Sequence, residues 1–174
     1  DPMKILITGA NGFIGTHLCN ELSNRNIGFR ASARNANENS NTDFVSCDLE
    51  TTESLHQLID GCDIVVHLAG RAHMTSDDSQ EKYRIANEFI TQRIANTAAK
   101  NGISRFVYLS SIKVNGESSN PGLPIRQSDT PHPLDNYGRS KLAAELALQA
   151  ICHDNSMEYV IIRPTLVYGQ GVKA

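Results

Sequence analysis

Tyr137-Gly138-Arg139-Ser140-Lys141 sets a phenol and an ammonium four residues apart, about one turn along a single helix face. A free tyrosine, with a pKa of about 10, is a poor base at neutral pH. A neighbouring ammonium stabilises the phenolate and lowers that value. Tyr137 could then exchange a proton with a substrate hydroxyl or ketone. Tyrosine–lysine pairs at this spacing also occur as plain helix surface, so a third group matters. The apolar run 105–110 ends in Ser110-Ser111, and either hydroxyl could hold a substrate oxygen for the phenol. Serines at a strand end also serve simply as turn formers.

A redox partner for that proton transfer is suggested near the N-terminus. The first apolar run leads straight into Thr8-Gly9-Ala10-Asn11-Gly12-Phe13-Ile14-Gly15, followed by a helical pattern. Glycines at 9, 12 and 15 permit a tight turn, a close backbone approach to a pyrophosphate, and packing of helix on strand. The helix start then offers free N–H groups to the phosphates. The second strand bears on which dinucleotide binds. NAD sites usually carry Asp or Glu at its end, whereas a 2′-phosphate favours Arg. Here the chain reads Arg30-Ala31-Ser32-Ala33-Arg34, so Arg34 leans the reading toward NADP, with NAD the other choice.

The elements that must position these groups follow from periodicity. Short apolar runs at 4–8, 29–33, 44–46, 64–68, 105–110 and 159–163 are nearly continuous, as in strands covered on both faces. Helical patterns fill 14–24, 52–59, 80–101 and 137–153. In the third, Tyr83, Ala86, Phe89, Ile90, Ile94 and Ala98 form one apolar stripe. Strand–helix alternation with right-handed crossovers gives an α/β fold, a doubly wound parallel sheet in a three-layer sandwich. Residues 35–43 read as a solvated loop. Residues 115–136, with Pro121, Pro124, Pro131 and Pro133, read as a long binding loop or lid.

Composition excludes several classes. The 174 residues carry 16 Lys+Arg against 19 Asp+Glu, a net charge of -3, which offers no basic face for nucleic acid. No apolar run approaches the roughly 20 residues that span a bilayer. Cys19, Cys47, Cys62 and Cys152 lie far apart without zinc-ligand spacing, as expected of reduced thiols in a cytoplasmic protein. His67 and His73 lack further ligands, so no metal is expected. Asp60, Asp63, Asp77 and Asp78 read as loop charges and helix caps, and Lys113 as a solvated lysine. Asp1-Pro2 reads as an addition ahead of a natural start at Met3.

From Met3 onward the chain resembles the extended short-chain dehydrogenase/reductases, the nucleotide-sugar epimerase/dehydratase family. The resemblance rests on the glycine motif, Cys47-Asp48-Leu49, Val66-His67-Leu68-Ala69-Gly70, Ser110-Ser111, Tyr137 to Lys141, and Arg163-Pro164-Thr165-Leu166-Val167-Tyr168-Gly169. It implies a Rossmann-type cofactor domain in which Asp48 and Leu49 flank the adenine. Leu68, Ala69 and Gly70 would line the cofactor, and Asn87 would lie beneath the active site. Arg163 and Pro164 would stand beside the nicotinamide. The family pattern selects Ser111 over Ser110, and Asn115 stands where relatives usually have tyrosine. Its members run to about 300 residues, as fits a cofactor domain plus a smaller substrate domain. The chain therefore resembles the cofactor-binding part, with a sugar-nucleotide domain to be expected elsewhere.

The resemblance implies an NAD(P)-dependent 4-epimerase of UDP-glucose or a UDP-N-acetylhexosamine. Tyr137 would be the acid/base, with Lys141 lowering its pKa and Ser111 positioning the oxygen. A reductase of 4-keto sugar nucleotides using NADPH is the alternative. A non-catalytic NADP-binding redox sensor is a third reading, against which the intact tyrosine–lysine pair speaks. By the same resemblance, a homodimer would form through the helices at 80–101 and 137–153.

Overall fold

The computed structural model describes residues 2–35, 43–72, 79–119 and 122–172. Its centre is a six-stranded parallel sheet: β1 (Ile5–Thr8), β2 (Phe29–Ala33), β3 (Asp43–Ser46), β4 (Ile64–His67), β5 (Arg105–Leu109) and β6 (Glu158–Ile162). The strand order is β3-β2-β1-β4-β5-β6. The chain runs outward in one direction from β1 through β2, then returns to the other side at β4. Connections therefore diverge at the carboxyl ends of β1 and β4, where doubly wound sheets leave a crevice. His73, Asp77, Asp78, Pro121 and most of the 35–43 loop lie outside the described residues.

Apolar side chains cover both sheet faces. On one, Leu6, Val65 and Phe106 pack with Leu58, Ile94, Ala98, Ala144 and Leu148. These come from α2 (His56–Ile59), α4 (Ile90–Lys100) and α5 (Asn136–Asn155). On the other, Ile7, Ala31 and Phe29 pack with Leu22 of α1 (Phe13–Asn24). Central strands are the most deeply covered, and Leu6, Ile7 and Val65 are fully buried. The edge strand β6 keeps Tyr159, Val160 and Ile162 exposed.

Two expected helices differ from their patterns. The helix at 52–59 shortens to α2 because Arg93 of α4 claims the preceding carbonyls. Its guanidinium donates to Leu49 and Glu50 O at 2.5 and 2.7 Å and to Thr52 O at 2.5 Å. The helix at 80–101 is present as α3 (Gln80–Tyr83), a π-helical segment (Arg84–Phe89) and α4. A π turn is wider than an α turn and often marks a functional site. It keeps Tyr83, Asn87 and Thr91 on the buried face and leaves Phe89, expected in the apolar stripe, 39% exposed.

The start of α1 depends on two glycines. Gly9 has φ +69, a region L side chains avoid, and a Cβ there would lie 2.7 Å from Ala69 N. A Cβ on Gly15 would lie 2.2 Å from Gly9 O and 2.8 Å from Ala10 Cα, so the helix reaches the turn only because residue 15 has no side chain. Gly15→Ala should therefore destabilise the fold by about 1–3 kcal/mol through overpacking. Urea unfolding of the two proteins at one temperature measures the difference.

Candidate active site

Over the β1–α1 turn lies a cavity of about 440 Å³ lined by Gly9, Asn11 and Gly12, by Arg34 at the end of β2, and by Asp48 and Leu49 after β3. Leu68, Ala69 and Gly70, after β4, form another wall. The chain thus brings these nine expected cofactor residues to one crevice from four strand ends. Phe13, Ile14 and Gly15 belong to the first turn of α1 beside it. Gly12 caps α1 in an extended conformation without a side-chain cap bond, so the first N–H groups of the helix have no side-chain acceptor there. Ser32 Oγ is buried and unpartnered among the described residues, and Ser32 lines the same cavity. An anionic group on the helix start and a polar ligand above Ser32 would satisfy both. The walls therefore fit a dinucleotide.

Sequence reasoning missed several lining residues. Arg71 and Lys82 add cations, Glu50 a carboxylate, and Ile85, Ala86 and Ile90 an apolar side. Arg71 directly follows the Leu68–Gly70 strip, and that adjacency was its only signal. Its guanidinium lies 5.5 Å from the Tyr83 ring centroid. Asn87 explains how this strip is held. Its Oδ1 accepts from Arg71 N at 2.8 Å, and its Nδ2 donates to Arg71 O at 3.2 Å and Ser140 Oγ at 3.0 Å. The π-helical segment is thereby tied to the cavity wall on one side and to α5 on the other.

The expected acid/base group, Tyr137, stands at the carboxyl end of β5. Asp135 caps α5 by accepting from Gly138 N at 2.6 Å. Gly138 is needed there, since a Cβ would lie 2.7 Å from Lys113 O. Tyr137, in the first turn, is hydrogen-bonded to Ser111 and packs edge-on against Tyr83, with ring centroids 5.7 Å apart. Ser110 is used differently: its hydroxyl donates to Glu145 Oε1 at 2.5 Å. Of the two serines, Ser111 is thus the one beside the phenol.

Lys141, expected beside the phenol, is held at the end of β5. Its ammonium donates to Leu109 O at 2.8 Å and Tyr108 Oη at 3.1 Å. A Cβ on Gly70 would stand 3.7 Å from Nζ, so the bare glycine leaves the ammonium next to the cavity wall. Burial pushes its pKa down to about 7, against a smaller opposing pull from Glu145. Burial also raises the Tyr137 pKa above the ordinary tyrosine value instead of lowering it. Ser111 is the strongest group favouring the phenolate; Lys113 adds to it, while Asp135 and Tyr83 oppose. Lys113, expected to be solvated, is paired with Glu117 at 2.9 Å and with Asp135 at 2.9 Å.

Two further expected cofactor positions, Arg163 and Pro164, are not among the residues that line this cavity. The Arg163 guanidinium turns to Glu145 and Asn115, and Pro164 O accepts from Ile112 N at 3.0 Å. His67 joins no metal group: none forms among the described residues. Its Nδ1 pairs with Thr8 Oγ1 at 2.7 Å and its Nε2 with Thr91 Oγ1 at 3.1 Å.

Residues 5–174 match the family described as NAD dependent epimerase/dehydratase. A UDP-glucose 4-epimerase of Vibrio cholerae is 42% identical over 178 residues, covering 99% of this chain and 54% of that protein. This chain belongs to that family. A solved UDP-glucuronic acid 4-epimerase from Bacillus cereus, in complex with NAD, superposes with a TM-score of 0.83 at 29% identity over 96% of this chain and 58% of its own. MoeE5 in complex with UDP-glucose and NAD superposes at 0.80 with 30% identity, over 91% and 52%. The chain spans about half the length of the curated relatives it matches.

Burial holds His67 neutral, with its pKa lowered to about 3. Between pH 6.5 and 3 the unfolded chain binds a proton at this position and the native chain does not. The His67 contribution is therefore fully present above pH 6.5 and falls progressively below it. His67→Gln should flatten the loss of stability on acidification from pH 7 to 4.5, as measured by urea unfolding at several pH values.

Proposed function

We propose that this chain is the dinucleotide-binding part of an enzyme that inverts C4 of a UDP-hexose, either UDP-glucose or a UDP-N-acetylhexosamine. The observation that carries the reading is the hydrogen bond between Ser111 and Tyr137 at the carboxyl end of β5. It stands on the sheet edge that also bears the glycine crevice, with Lys141 against Gly70 between them. The 42% identity to a UDP-glucose 4-epimerase supports the same reading.

In this proposal Gly9 to Gly15 and the start of α1 hold the diphosphate, Asp48 and Leu49 flank the adenine, and Leu68 to Gly70 back the ribose. Lys141 and Asn87 hold the nicotinamide side, with Pro164 beside it. A bound nicotinamide supplies the hydride acceptor and donor. Ser111 orients the C4 oxygen toward Tyr137, whose phenolate, favoured by Ser111 and Lys113, takes the C4 hydroxyl proton on oxidation, and the resulting phenol returns it on reduction. Phenol burial keeps bulk water from competing for that proton. The Lys141 pKa, at about 7, lets its ammonium respond to whatever oxygen or charge the ligand brings. The four free cysteines suit a reducing cytoplasm. No helix among the described residues is long and apolar enough to cross a membrane. Leu146, 58% exposed on α5, and Phe89, at the end of the π-helical segment, suit a homodimer through the helices at 80–101 and 137–153; a monomeric mass for the complete protein would contradict that arrangement.

Arg34 favours a second reading, the NADPH-dependent 4-ketoreductase, because it lines the cavity where a 2′-phosphate would be met. Calorimetric titration with each dinucleotide separates the two. Tighter binding of NAD, the cofactor in the solved relatives, supports the epimerase, and a clear preference for NADP supports the reductase. In the complete protein, Tyr137→Phe should lower kcat by about 10²–10⁴-fold while NAD binding persists. Steady-state kinetics on UDP-glucose reads this, and full activity of the variant would refute the role of the phenol.

A further inference from the structure

Glu145 is 1% exposed and ionisable, and it has no place in the proton transfer just described. A buried carboxylate persists only where its oxygens are paired. Glu145 Oε1 accepts from Arg163 Nε at 2.9 Å and from Ser110 Oγ at 2.5 Å, and Oε2 accepts from Arg163 Nη2 at 2.5 Å. The remaining arm of the fork, Nη1, donates to Asn115 Oδ1 at 3.1 Å. Two residues, Ser110 and Asn115, thus hang from one ion pair, and Ser111 lies between them in the chain.

Backbone bonds reinforce the same bracket. Ser110 N donates to Ile162 O at 2.7 Å and Ile112 N to Pro164 O at 3.0 Å, so the neighbours of Ser111 are tied on both sides of Arg163. Glu145 rides on α5 eight residues after Tyr137, about 12 Å along the axis and close to the same face. One rigid helix therefore carries the phenol at one end and the anchor of its serine partner two turns on.

We propose that the Glu145–Arg163 pair is a positioning device that sets the Ser111 hydroxyl against Tyr137. This rests on the reading of Tyr137 as the acid/base group. The pair fixes α5 against the ends of β5 and β6, and loosening it changes the serine–phenol geometry before it changes ligand contacts. A purely structural ion pair would behave otherwise, since apolar residues of similar size can replace such a pair without loss of stability.

The test uses the complete protein with UDP-glucose and NAD. Glu145→Gln keeps the shape and a partner for Ser110 but removes the charge facing Arg163. Expected are a kcat lowered about 10- to 100-fold, as a displacement of about 1 Å produces, and a sugar KM within about threefold of the parent. The pH–rate limb belonging to the phenol should move upward, because Ser111 no longer favours the phenolate. The groups that face Tyr137 (Ser111, Lys113, Asp135 and Tyr83) are all retained. Arg163→Lys keeps the charge and loses the fork, so it should shift both quantities the same way by less. The double variant Glu145→Met, Arg163→Leu should melt near the parent temperature and still be slow. If Glu145→Gln does not fold, the other two variants carry the comparison. Parental kcat and an unmoved limb in the folded variants would overturn the proposal. Tyr137→Phe is run beside them: if it is fully active, the acid/base reading itself fails, and if it is inactive while the others match the parent, only this inference fails.

Discussion

Tyr137, Lys141 and Glu145 stand at four-residue intervals on α5, so their side chains share one face of a rigid rod. Each engages a different part of the sheet edge. Tyr137 meets Ser111, Lys141 meets the Leu109 carbonyl, and Glu145 meets Ser110 and Arg163. The active-site geometry is therefore set by how this helix docks on the carboxyl ends of β5 and β6. Apolar packing of Ala144 and Leu148 supplies the adhesion, which is non-directional. The polar contacts supply the register, because a charge buried without its partner is costly.

The same logic explains the polar seam beneath the crevice. His67 is fully buried, but both ring nitrogens are paired with threonines from β1 and α4, and the ring stacks on Tyr108 with centroids 5.8 Å apart. Tyr108 in turn accepts from Lys141. The seam thus joins β1, β4, β5, α4 and α5 below the place where a dinucleotide would lie. Burial disfavours the charged forms of His67 and Lys141, and the charge of Lys141 lowers His67 further, hence the lowered pKa values. A surface that is apolar on both sides but polar along this seam tolerates little sliding, which suits a site needing fixed distances.

Much of this was legible in the chain. Near-continuous apolar runs located all six strands because each central strand is covered on both faces. The glycine motif located the crevice because residues 9 and 15 admit no side chain. What escaped has local causes. The π-helical turn is invisible to a 3.6-residue period, so Phe89 was assigned to the apolar stripe and Asn87 came only from family resemblance. The helix expected at 52–59 was shortened by Arg93, a contact across some forty positions that no local pattern encodes. Lys141 was read by its spacing from Tyr137, whereas its bonds to Leu109 O and Tyr108 Oη depend on how α5 docks on β5. Glu145 does lie four residues after Lys141, a periodicity open to inspection, but its partner Arg163 is fixed only by the packing of α5 on β6.

The central claim is that Ser111 and Tyr137 face the reactive ring of a dinucleotide whose diphosphate rests on the turn at 9–15. A crystal structure of the chain with NAD bound tests it most directly. The account predicts the diphosphate over Gly12, the nicotinamide beside Gly70, and the Tyr137 hydroxyl directed at the space above the ring carbon that carries the hydride. A nicotinamide lying outside the crevice, or a Tyr137 hydroxyl turned away from it toward Tyr83, would contradict the account.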